Sequence, residues 1–165
     1  MTGSYTDKYA KALSKLGTLP PDAPQGVLDI GSNSVRLVGY SGSARTLLPI
    51  YNERAFCRLG DAVAASGSID DQPREKALET FRRFRAIAEQ LGIENLAAFA
   101  TAAVREADNR DEFIAAAREI LPYPVEVVSG DEEARLIYQG VAHTTPADGR
   151  RLIIDIGGDS TEFII

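Results

Sequence analysis

The chain has 165 residues, of which 44% are hydrophobic and 25% charged, a composition typical of a soluble globular protein with one buried core. Eighteen basic against 24 acidic residues leave a net charge of -6, which argues against general nucleic-acid binding because Lys and Arg supply most of the affinity for a phosphate backbone. The charge does not exclude a phosphorylated small substrate, since backbone amides, a metal ion and a few arginines can hold phosphate.

Residues 1–24 are predicted to form a polar extension with at most a short helix near residues 9–16. They end in a proline-rich run, where each proline fixes its own backbone and restricts the residue before it. They also lack the continuous apolar stretch of a signal peptide, and no later segment approaches the roughly 18 apolar residues that span a membrane. We therefore expect a cytosolic protein that enters no membrane.

Residues 25–143 are predicted to form one α/β half-domain. Three β-like runs separated by Gly, Ser and Asn predict an antiparallel meander, and the strands and helices that then alternate imply parallel pairing. In the longest helix, apolar residues recur at spacings of three and four between Pro73 and Gly92. Together these signals predict a mixed five-stranded sheet with helices packed on it. The expected strands are residues 26–30, 35–40, 46–58, 96–100 and 125–128, and the expected helices are residues 73–91, 110–120 and 130–142.

The most informative feature of the sequence is an internal repeat. Residues 28–34, Leu-Asp-Ile-Gly-Ser-Asn-Ser, return as residues 154–160, Ile-Asp-Ile-Gly-Gly-Asp-Ser, after a turn-rich linker at residues 144–150. In each copy a carboxylate that can hold a divalent ion is followed by a glycine turn whose amides can converge on phosphate oxygens. Either copy alone is equally compatible with an ordinary hairpin and a polar turn. Their repetition favours two related half-domains that face one cleft, the second of which begins at residue 151.

A second motif leads into the last predicted helix. Ser129 and Glu132 match a capping box, in which each side chain binds a backbone amide of the other residue, so Glu132 is explained structurally. Glu133 lies instead on the stripe of the helix expected to face inward, where a carboxylate is costly unless it has a partner or lines a cavity. Two interpretations stay open for Glu133: a first-turn carboxylate favoured by the helix dipole, or a general base that activates water.

Arg105 follows a predicted strand, and Asn109 precedes the next predicted helix. The carboxyl ends of strands are where open α/β sheets place their sites, so Arg105 is a candidate phosphate clamp with paired donors. A surface salt bridge with Glu106 or Asp108 is at least as compatible with the local sequence. The spacing alone leaves both interpretations of Arg105 open.

Five further residues are interpreted as structural. The single cysteine cannot form an internal disulfide, and the single histidine cannot build a histidine-rich metal site. The basic cluster of the longest helix is interpreted as a solvated face. These residues are Cys57, His143, Arg82, Arg83 and Arg85.

At these motifs the sequence resembles the exopolyphosphatase and guanosine pentaphosphate phosphohydrolase (Ppx/GppA) family, whose superfamily also contains acetate and sugar kinases, actin and heat-shock chaperones. The resemblance implies an actin-like ATPase (ribonuclease H-like) domain, followed by the first hairpin of a second, similar domain. It extends from about residue 26 to residue 165 and rests on residues 29–34, 100–109, 129–134 and 155–162.

The resemblance also implies an activity. An activated water would hydrolyse the terminal phosphoanhydride of inorganic polyphosphate or guanosine pentaphosphate, with Mg2+ shielding the substrate charge. By position, Glu133 matches the catalytic base and Arg105 a substrate-phosphate contact. The candidate metal-binding carboxylates are Asp155, Glu162 and, in the first copy of the repeat, Asp29. The candidate phosphate-binding residues are Gly31, Ser32, Asn33, Ser34, Gly157, Gly158, Ser160 and Thr161.

Alternative functions from the same pattern are a catalytically silent module that binds polyphosphate or an alarmone, and an ATP-dependent kinase of the superfamily. The Ser-Gly-x-Glu-Glu context of Glu133 argues against the kinase. Full-length members of the family are expected to form homodimers.

The sequence departs from the family pattern in two places. Asp159 stands where the family has a third glycine, which would cost on the order of 1 kcal/mol if φ is positive there. Its carboxylate would also repel phosphate unless a metal bridges them, so we expect weakened activity or altered metal dependence. The family continues well beyond the second loop, whereas this chain ends at Ile165. We therefore expect an N-terminal fragment that exposes residues 163–165 and tends to self-associate.

Overall fold

The computed structural model describes residues 23–41, 48–145, 149–158 and 160–165. Most of the polar extension, with its expected short helix, and Asp159 lie outside these ranges, so the expectations placed on them stay predictions. The described strands are β1 (Gln25–Ile30), β2 (Ser34–Ser41), β3 (Leu48–Phe56), β4 (Asn95–Ala100), β5 (Val125–Val127), β6 (Ile153–Ile156) and β7 (Thr161–Ile164). The described helices are α1 (Leu59–Ser66), α2 (Asp71–Gln90), α3 (Ala102–Glu106), α4 (Arg110–Ile120) and α5 (Gly130–Thr144).

The first five strands form one mixed sheet in the order β3-β2-β1-β4-β5. β1 pairs antiparallel with β2, and β2 with β3, which is the predicted meander. β1, β4 and β5 run parallel, because the connections between them contain helices that return the chain to the same end of the sheet. The carboxyl ends of β1 and β4 therefore lie side by side, with Ile30 opposite Ala100. The predicted mixed five-stranded sheet is confirmed.

The helix α2 packs on this sheet through the apolar stripe that the spacing predicts. Its residues Ala77, Phe81, Phe84 and Ala88 are each at most 1% exposed. The ring of Phe81 meets that of Phe113 from α4 edge-on, with 6.0 Å between the centroids. Burial of one such side chain contributes roughly 1.5–3 kcal/mol, so these rings anchor the core between the helices and the sheet.

Two short helices in the structure, α1 and α3, are not predicted by the sequence signals. The run of residues 46–58 is expected to be extended to its end, but β3 ends at Phe56 and α1 begins at Leu59. Arg58, between them, has φ 57° and ψ 44°, a left-handed conformation that is uncommon for a residue with a side chain and that turns the chain. The N-cap residues of the two helices, Arg58 and Thr101, make no side-chain hydrogen bond to a helix amide, although threonine is a residue type that often does so.

The strands β6 and β7 form a separate two-stranded antiparallel sheet, as expected for the first hairpin of a second domain. One face of this hairpin is apolar and open to solvent, because no other described element covers it. Its exposed residues are Leu152, Ile154, Ile156, Phe163 and Ile165, with exposed fractions between 50% and 91%.

The basic cluster of α2 lies at the surface, as predicted. Its ion pairs join Arg82 to Glu75, Arg83 to Glu53 and Arg85 to Glu89. Exposed ion pairs are worth less than about 1 kcal/mol, so these pairs contribute little to stability.

Cys57 is a buried free cysteine, consistent with a structural role. In the described ranges, no helix has the length and apolar character needed to cross a bilayer.

Candidate active site

The two copies of the sequence repeat fold into the same tight turn. In the first copy the Gly31 amide donates to the Ser34 carbonyl at 3.0 Å, and in the second the Gly157 amide donates to the Ser160 carbonyl at 2.9 Å. A Cβ atom at either glycine would lie 3.2 Å from the carbonyl oxygen of that serine, closer than most side-chain contacts. The turns therefore favour glycine at both positions, and the repeat seen in the sequence is a repeat of structure.

The two turns also touch each other. A Cβ atom at Gly158 would lie 3.2 Å from the Ser32 Cβ atom and 3.4 Å from the Asn33 amide nitrogen. The second loop therefore packs directly on the first without room for a side chain at Gly158. This contact brings together the two loops expected to face one cleft.

The first loop is held from behind by α1 and α3. The Ser32 carbonyl accepts from the Gly60 amide at 2.8 Å, and the Asn33 carbonyl accepts from the amides of Cys57 and Arg58 at 3.1 and 3.0 Å. The Ser32 hydroxyl oxygen accepts from the Ala103 amide at 3.2 Å, and Ser32 is only 7% exposed. The carbonyls of Ser32 and Asn33 thus have their hydrogen-bond donors at and just before the start of α1. Because the Ser32 hydroxyl oxygen is the acceptor in its bond with Ala103, its proton can be donated to a second partner.

Arg105 and Glu133, the predicted phosphate contact and the predicted base, form an ion pair. An Nη atom of Arg105 lies 3.1 Å from a carboxylate oxygen of Glu133 and donates also to the Val128 carbonyl at 3.0 Å. The two side chains are only 23% and 17% exposed. The alternative partner, Glu106, lies 3.9 Å from Arg105 and is 65% exposed, so it is the weaker one. Glu133 is therefore partly buried and has a charged partner, as a carboxylate on the predicted stripe requires.

Burial raises the pKa of the Glu133 carboxyl above its usual range. The hydrogen bond from Arg105 opposes this shift, while the negative charges of Glu162 and Asp29 raise the pKa of Glu133 further. Carboxylates from α5, β7 and β1 are thus close enough to influence one another. The result is a carboxylate that holds its proton more strongly than an exposed glutamate does.

The neighbouring carboxylate, Glu132, behaves in the opposite way. Its two oxygens accept hydrogen bonds from Arg135 at 2.7 and 2.6 Å, and these bonds lower the pKa of Glu132. The Glu132 amide donates to the Ser129 hydroxyl at 3.2 Å, which is one half of the predicted capping box. The other predicted hydrogen bond of the capping box, from the Ser129 amide to the Glu132 carboxylate, is wrong, because that carboxylate binds Arg135 instead.

Asp29 lies at the end of β1, beside the first loop. Crowding by protein atoms raises the pKa of its carboxyl, the charges of Arg36 and Arg54 lower it, and the charge of Asp155 raises it. By residue area Asp29 is exposed, so water still reaches the carboxylate and limits the rise. In the second hairpin Asp155 faces Glu162 across the strands, as Asp29 faces Arg36 in the first.

The three carboxylates predicted to bind a metal do not gather into a preformed metal site. Among the residues that the structure describes, no three Asp, Glu, His or Cys side chains come together closely enough to hold an ion. Mg2+ is commonly bound through one or two carboxylates together with substrate phosphates and water. Asp29 and Asp155, whose charges interact, fit that simpler arrangement.

Two arginines that the sequence analysis does not single out also lie at the site. Arg36 and Arg54 share one row of the sheet with Asp29, across β1, β2 and β3. The Arg36 Nε atom donates to the Asn52 side chain at 2.9 Å. The tight turn at residues 31–34 determines the register of the first hairpin, so the place of Arg36 could be derived from the sequence. The place of Arg54 could not, because the connection from β2 to β3 is longer.

The architecture defines an actin-like ATPase fold in which two glycine turns from two sheets meet beside a paired arginine and glutamate. The model of the Ppx/GppA phosphatase family matches residues 38–165 of this chain. The chain belongs to that family, and it corresponds to the N-terminal part of its relatives.

Similar proteins include a guanosine-5'-triphosphate,3'-diphosphate pyrophosphatase of Aliivibrio fischeri (strain MJ11). It is 36% identical over 154 residues, which are 92% of this chain and 30% of that protein. An exopolyphosphatase from Cytophaga hutchinsonii superposes with a TM-score of 0.80 at 32% identity, covering 86% of this chain and 46% of the other. The Aquifex aeolicus member of the Ppx/GppA family gives a TM-score of 0.78 at 29% identity, covering 87% and 47%. The chain thus spans less than half the length of these relatives.

Proposed function

We propose that the chain carries the catalytic loops of a phosphohydrolase that releases terminal phosphate from inorganic polyphosphate or guanosine pentaphosphate. One observation carries the proposal: the partly buried ion pair of Arg105 and Glu133 lies with two matching glycine turns in a single group of interacting charges and contacts. The relatives include both a guanosine-5'-triphosphate,3'-diphosphate pyrophosphatase and an exopolyphosphatase. Both substrates end in a phosphoanhydride on a polyanion, which is the chemistry we assign to this site.

In this proposal the turn amides of the two loops and the Arg105 guanidinium hold the terminal phosphate. Backbone amides in tight turns and the paired donors of arginine both match phosphate oxygens. The Ser32 hydroxyl can donate its proton to the same group. The role of the loops is to orient the phosphorus atom towards Glu133 and to neutralise charge that develops on its oxygens.

Glu133 accepts the proton of the attacking water. A general base must be ionised yet basic, and an exposed glutamate near its usual pKa is a weak base at neutral pH. Burial raises the pKa of Glu133, while the hydrogen bond from Arg105 keeps the ionised form accessible. These opposed effects support the choice of Glu133 over Glu132, whose pKa is lowered.

A bound Mg2+ ion would be held by Asp29 and Asp155 together with phosphate oxygens of the substrate. It would supply positive charge that offsets repulsion between the substrate and the acidic side chains of the site. Glu162, which faces Asp155 across the hairpin, would orient water near the same place.

The test is phosphate release from long-chain polyphosphate and from guanosine pentaphosphate, with and without Mg2+, by the unsubstituted chain and by Glu133→Gln. We expect metal-dependent release that falls by a factor of about 10²–10⁴ in the variant, the usual contribution of a general base. The control is Glu132→Gln, which changes the adjacent carboxylate in the same way and should keep the activity.

Equal loss of activity in both variants would argue against Glu133 as the base. Phosphate binding without release by the unsubstituted chain would favour a binding module instead. Transfer of phosphate from ATP to an acceptor would favour the kinase.

A further inference from the structure

Asn109 makes two hydrogen bonds with a backbone segment 40 residues away. Its side-chain oxygen accepts from the Ile69 amide at 2.9 Å, and its side-chain nitrogen donates to the Ile69 carbonyl at 2.9 Å. Next to it, the Asp108 amide donates to the Gly67 carbonyl at 2.9 Å. Both backbone polar groups of one residue, Ile69, are thus matched by one amide side chain, whose oxygen accepts while its nitrogen donates.

This contact replaces the role that asparagine usually has at such a position. Asn109 is the residue before the first turn of α4, where an asparagine side chain normally accepts from a helix amide. Here it makes no such cap, and only its backbone carbonyl accepts from the Phe113 amide at 3.1 Å. The Asn109 side chain therefore binds a distant backbone segment instead of its own helix. This choice of partner indicates that the contact fixes how the two segments are placed relative to each other.

The two segments that Asn109 joins both begin at the first phosphate loop. α1 begins beside Ser32, whose carbonyl accepts from the Gly60 amide, and is followed directly by Gly67. α3 begins beside the same residue, whose hydroxyl accepts from the Ala103 amide, and leads to Asn109. The two helices also contact each other. They therefore run side by side from Ser32 to the Asn109 contact.

We infer that Asn109 is a positioning residue that holds the far ends of α1 and α3 together and thereby sets the near ends that grip Ser32. The same contact controls the direction of α3, and with it the Arg105 side chain that reaches Glu133. Asn109 itself does not touch the loops, so it has no direct part in binding phosphate. The consequence for phosphate binding rests on the proposed function, whereas the consequence for the loop geometry does not.

The test compares Asn109→Ala, which removes both hydrogen bonds, with Asn109→Asp, which keeps the acceptor for the Ile69 amide. The matched control is Asp111→Asn, an exchange of the same two groups in the exposed first turn of α4. Amide hydrogen exchange is followed at Gly60 and Ala103, at Ile69 beside the substitution, and at Phe81 in the core. Binding of inorganic phosphate is followed from the Gly31 amide signal in NMR spectra.

We expect Asn109→Ala to lower the exchange protection of Gly60 and Ala103 about tenfold, the factor that one lost hydrogen bond can account for, with Phe81 unchanged. The phosphate affinity of Asn109→Ala should fall by a similar factor. For Asn109→Asp, both the protection and the phosphate affinity should lie between those of Asn109→Ala and the unsubstituted chain. Asp111→Asn should match the unsubstituted chain in both measurements.

Loss of protection confined to Ile69 would overturn the inference, because the contact would then be local. An equal loss at Phe81 would also overturn it, because Asn109 would then act only on general stability. If the unsubstituted chain bound no phosphate, the proposed function would fail, while the exchange at Gly60 and Ala103 would still decide the role of Asn109.

Discussion

Glu132 and Glu133 are adjacent in the sequence, yet their carboxyl groups have opposite pKa shifts. Glu132 is held by two hydrogen bonds from Arg135, which favour the ionised form. Glu133 faces inward, where desolvation and the charges of Glu162 and Asp29 outweigh the single contact with Arg105. The helix turns by about 100° between them, so two carboxylates whose side chains are each 17% exposed meet different neighbours, Arg135 for Glu132 and Arg105, Glu162 and Asp29 for Glu133.

The raised pKa of Glu133 predicts how Glu133→Gln changes stability with pH. A folded-state pKa above the ordinary value of 4.5 means that the stability contributed by Glu133 is present in acid and lost as the pH rises through the folded-state pKa. We expect Glu133→Gln to unfold at higher urea concentration than the unsubstituted chain at pH 7, and the difference to vanish below about pH 4.

The matched substitution Glu132→Gln has the opposite expected sign. The lowered pKa of Glu132 means that its contribution to the stability of the fold is present at neutral pH and is lost as the pH falls through the folded-state pKa. Glu132→Gln should therefore be less stable than the unsubstituted chain at pH 7, by at most about 1 kcal/mol. A Glu133→Gln variant that is destabilised at pH 7 would show that the ion pair with Arg105 outweighs desolvation.

Gly158 predicts a second effect at the scale of one residue. Gly158→Ala would place a methyl group 3.2 Å from the Ser32 Cβ atom, so the two loops must move apart. Overpacking of this kind costs about 1–3 kcal/mol, and the strain falls on the site itself. Calorimetric titration with phosphate should show weakened binding.

The control for this change is Gly140→Ala in α5, where an added Cβ atom meets nothing within 4 Å. It should stabilise the helix by roughly 0.5–1 kcal/mol and leave phosphate binding unchanged. Normal phosphate affinity in Gly158→Ala would mean that the two loops do not have to touch in order to bind.

At the scale of elements, α2 shows what a periodic pattern can predict. Its apolar stripe gave the correct face because a helix of 20 residues repeats the pattern over several turns, and that face is buried against the sheet and α4. α1 and α3 behave differently, since they are too short for a stripe and begin without side-chain caps. Their stability comes from contacts with the first loop and with each other, which are distant in the sequence.

The packing of α2 on α4 is tested by Phe81→Ala. Phe81 is fully buried and its ring meets Phe113, so the cavity left behind should lower the free energy of unfolding by about 3–5 kcal/mol. The matched control is Phe56→Ala on β3, where the ring is 54% exposed and the loss should stay below about 1 kcal/mol. Urea denaturation followed by circular dichroism measures both. Equal losses would show that α2 is not part of the core.

At the scale of the whole molecule, the candidate site depends on two sheets that share no strands. The first sheet contributes Asp29 and the first turn, and the hairpin of β6 and β7 contributes Asp155, Glu162 and the second turn. Each sheet alone supplies only one glycine turn and only some of the carboxylates of the site. The contact of Gly158 with Ser32 is therefore what makes one site of two similar hairpins.

The open apolar face of the second hairpin predicts that this chain self-associates. We expect the combined substitution of Ile154 and Phe163 by serine, which removes paired apolar residues from that face, to shift the chain towards monomer in sedimentation velocity at high concentration. The control is Ile50→Ser, at an exposed position of β3 far from this hairpin in sequence. Association that persists after the double change, or that Ile50→Ser also abolishes, would contradict this prediction.

The sequence by itself determined the features carried by local patterns: the stripe of α2, the alternation of strands and helices, the repeated Asp-Ile-Gly turn and the inward position of Glu133. These follow from backbone periodicity and turn chemistry, which act within a few residues. Only the tertiary structure decided that Arg58 turns the chain into α1, that Arg54 lies in a row with Asp29, and that Asn109 binds Ile69. Each depends on groups 20 or more residues apart, whose distance the folded chain sets through packing, and no local rule encodes that distance.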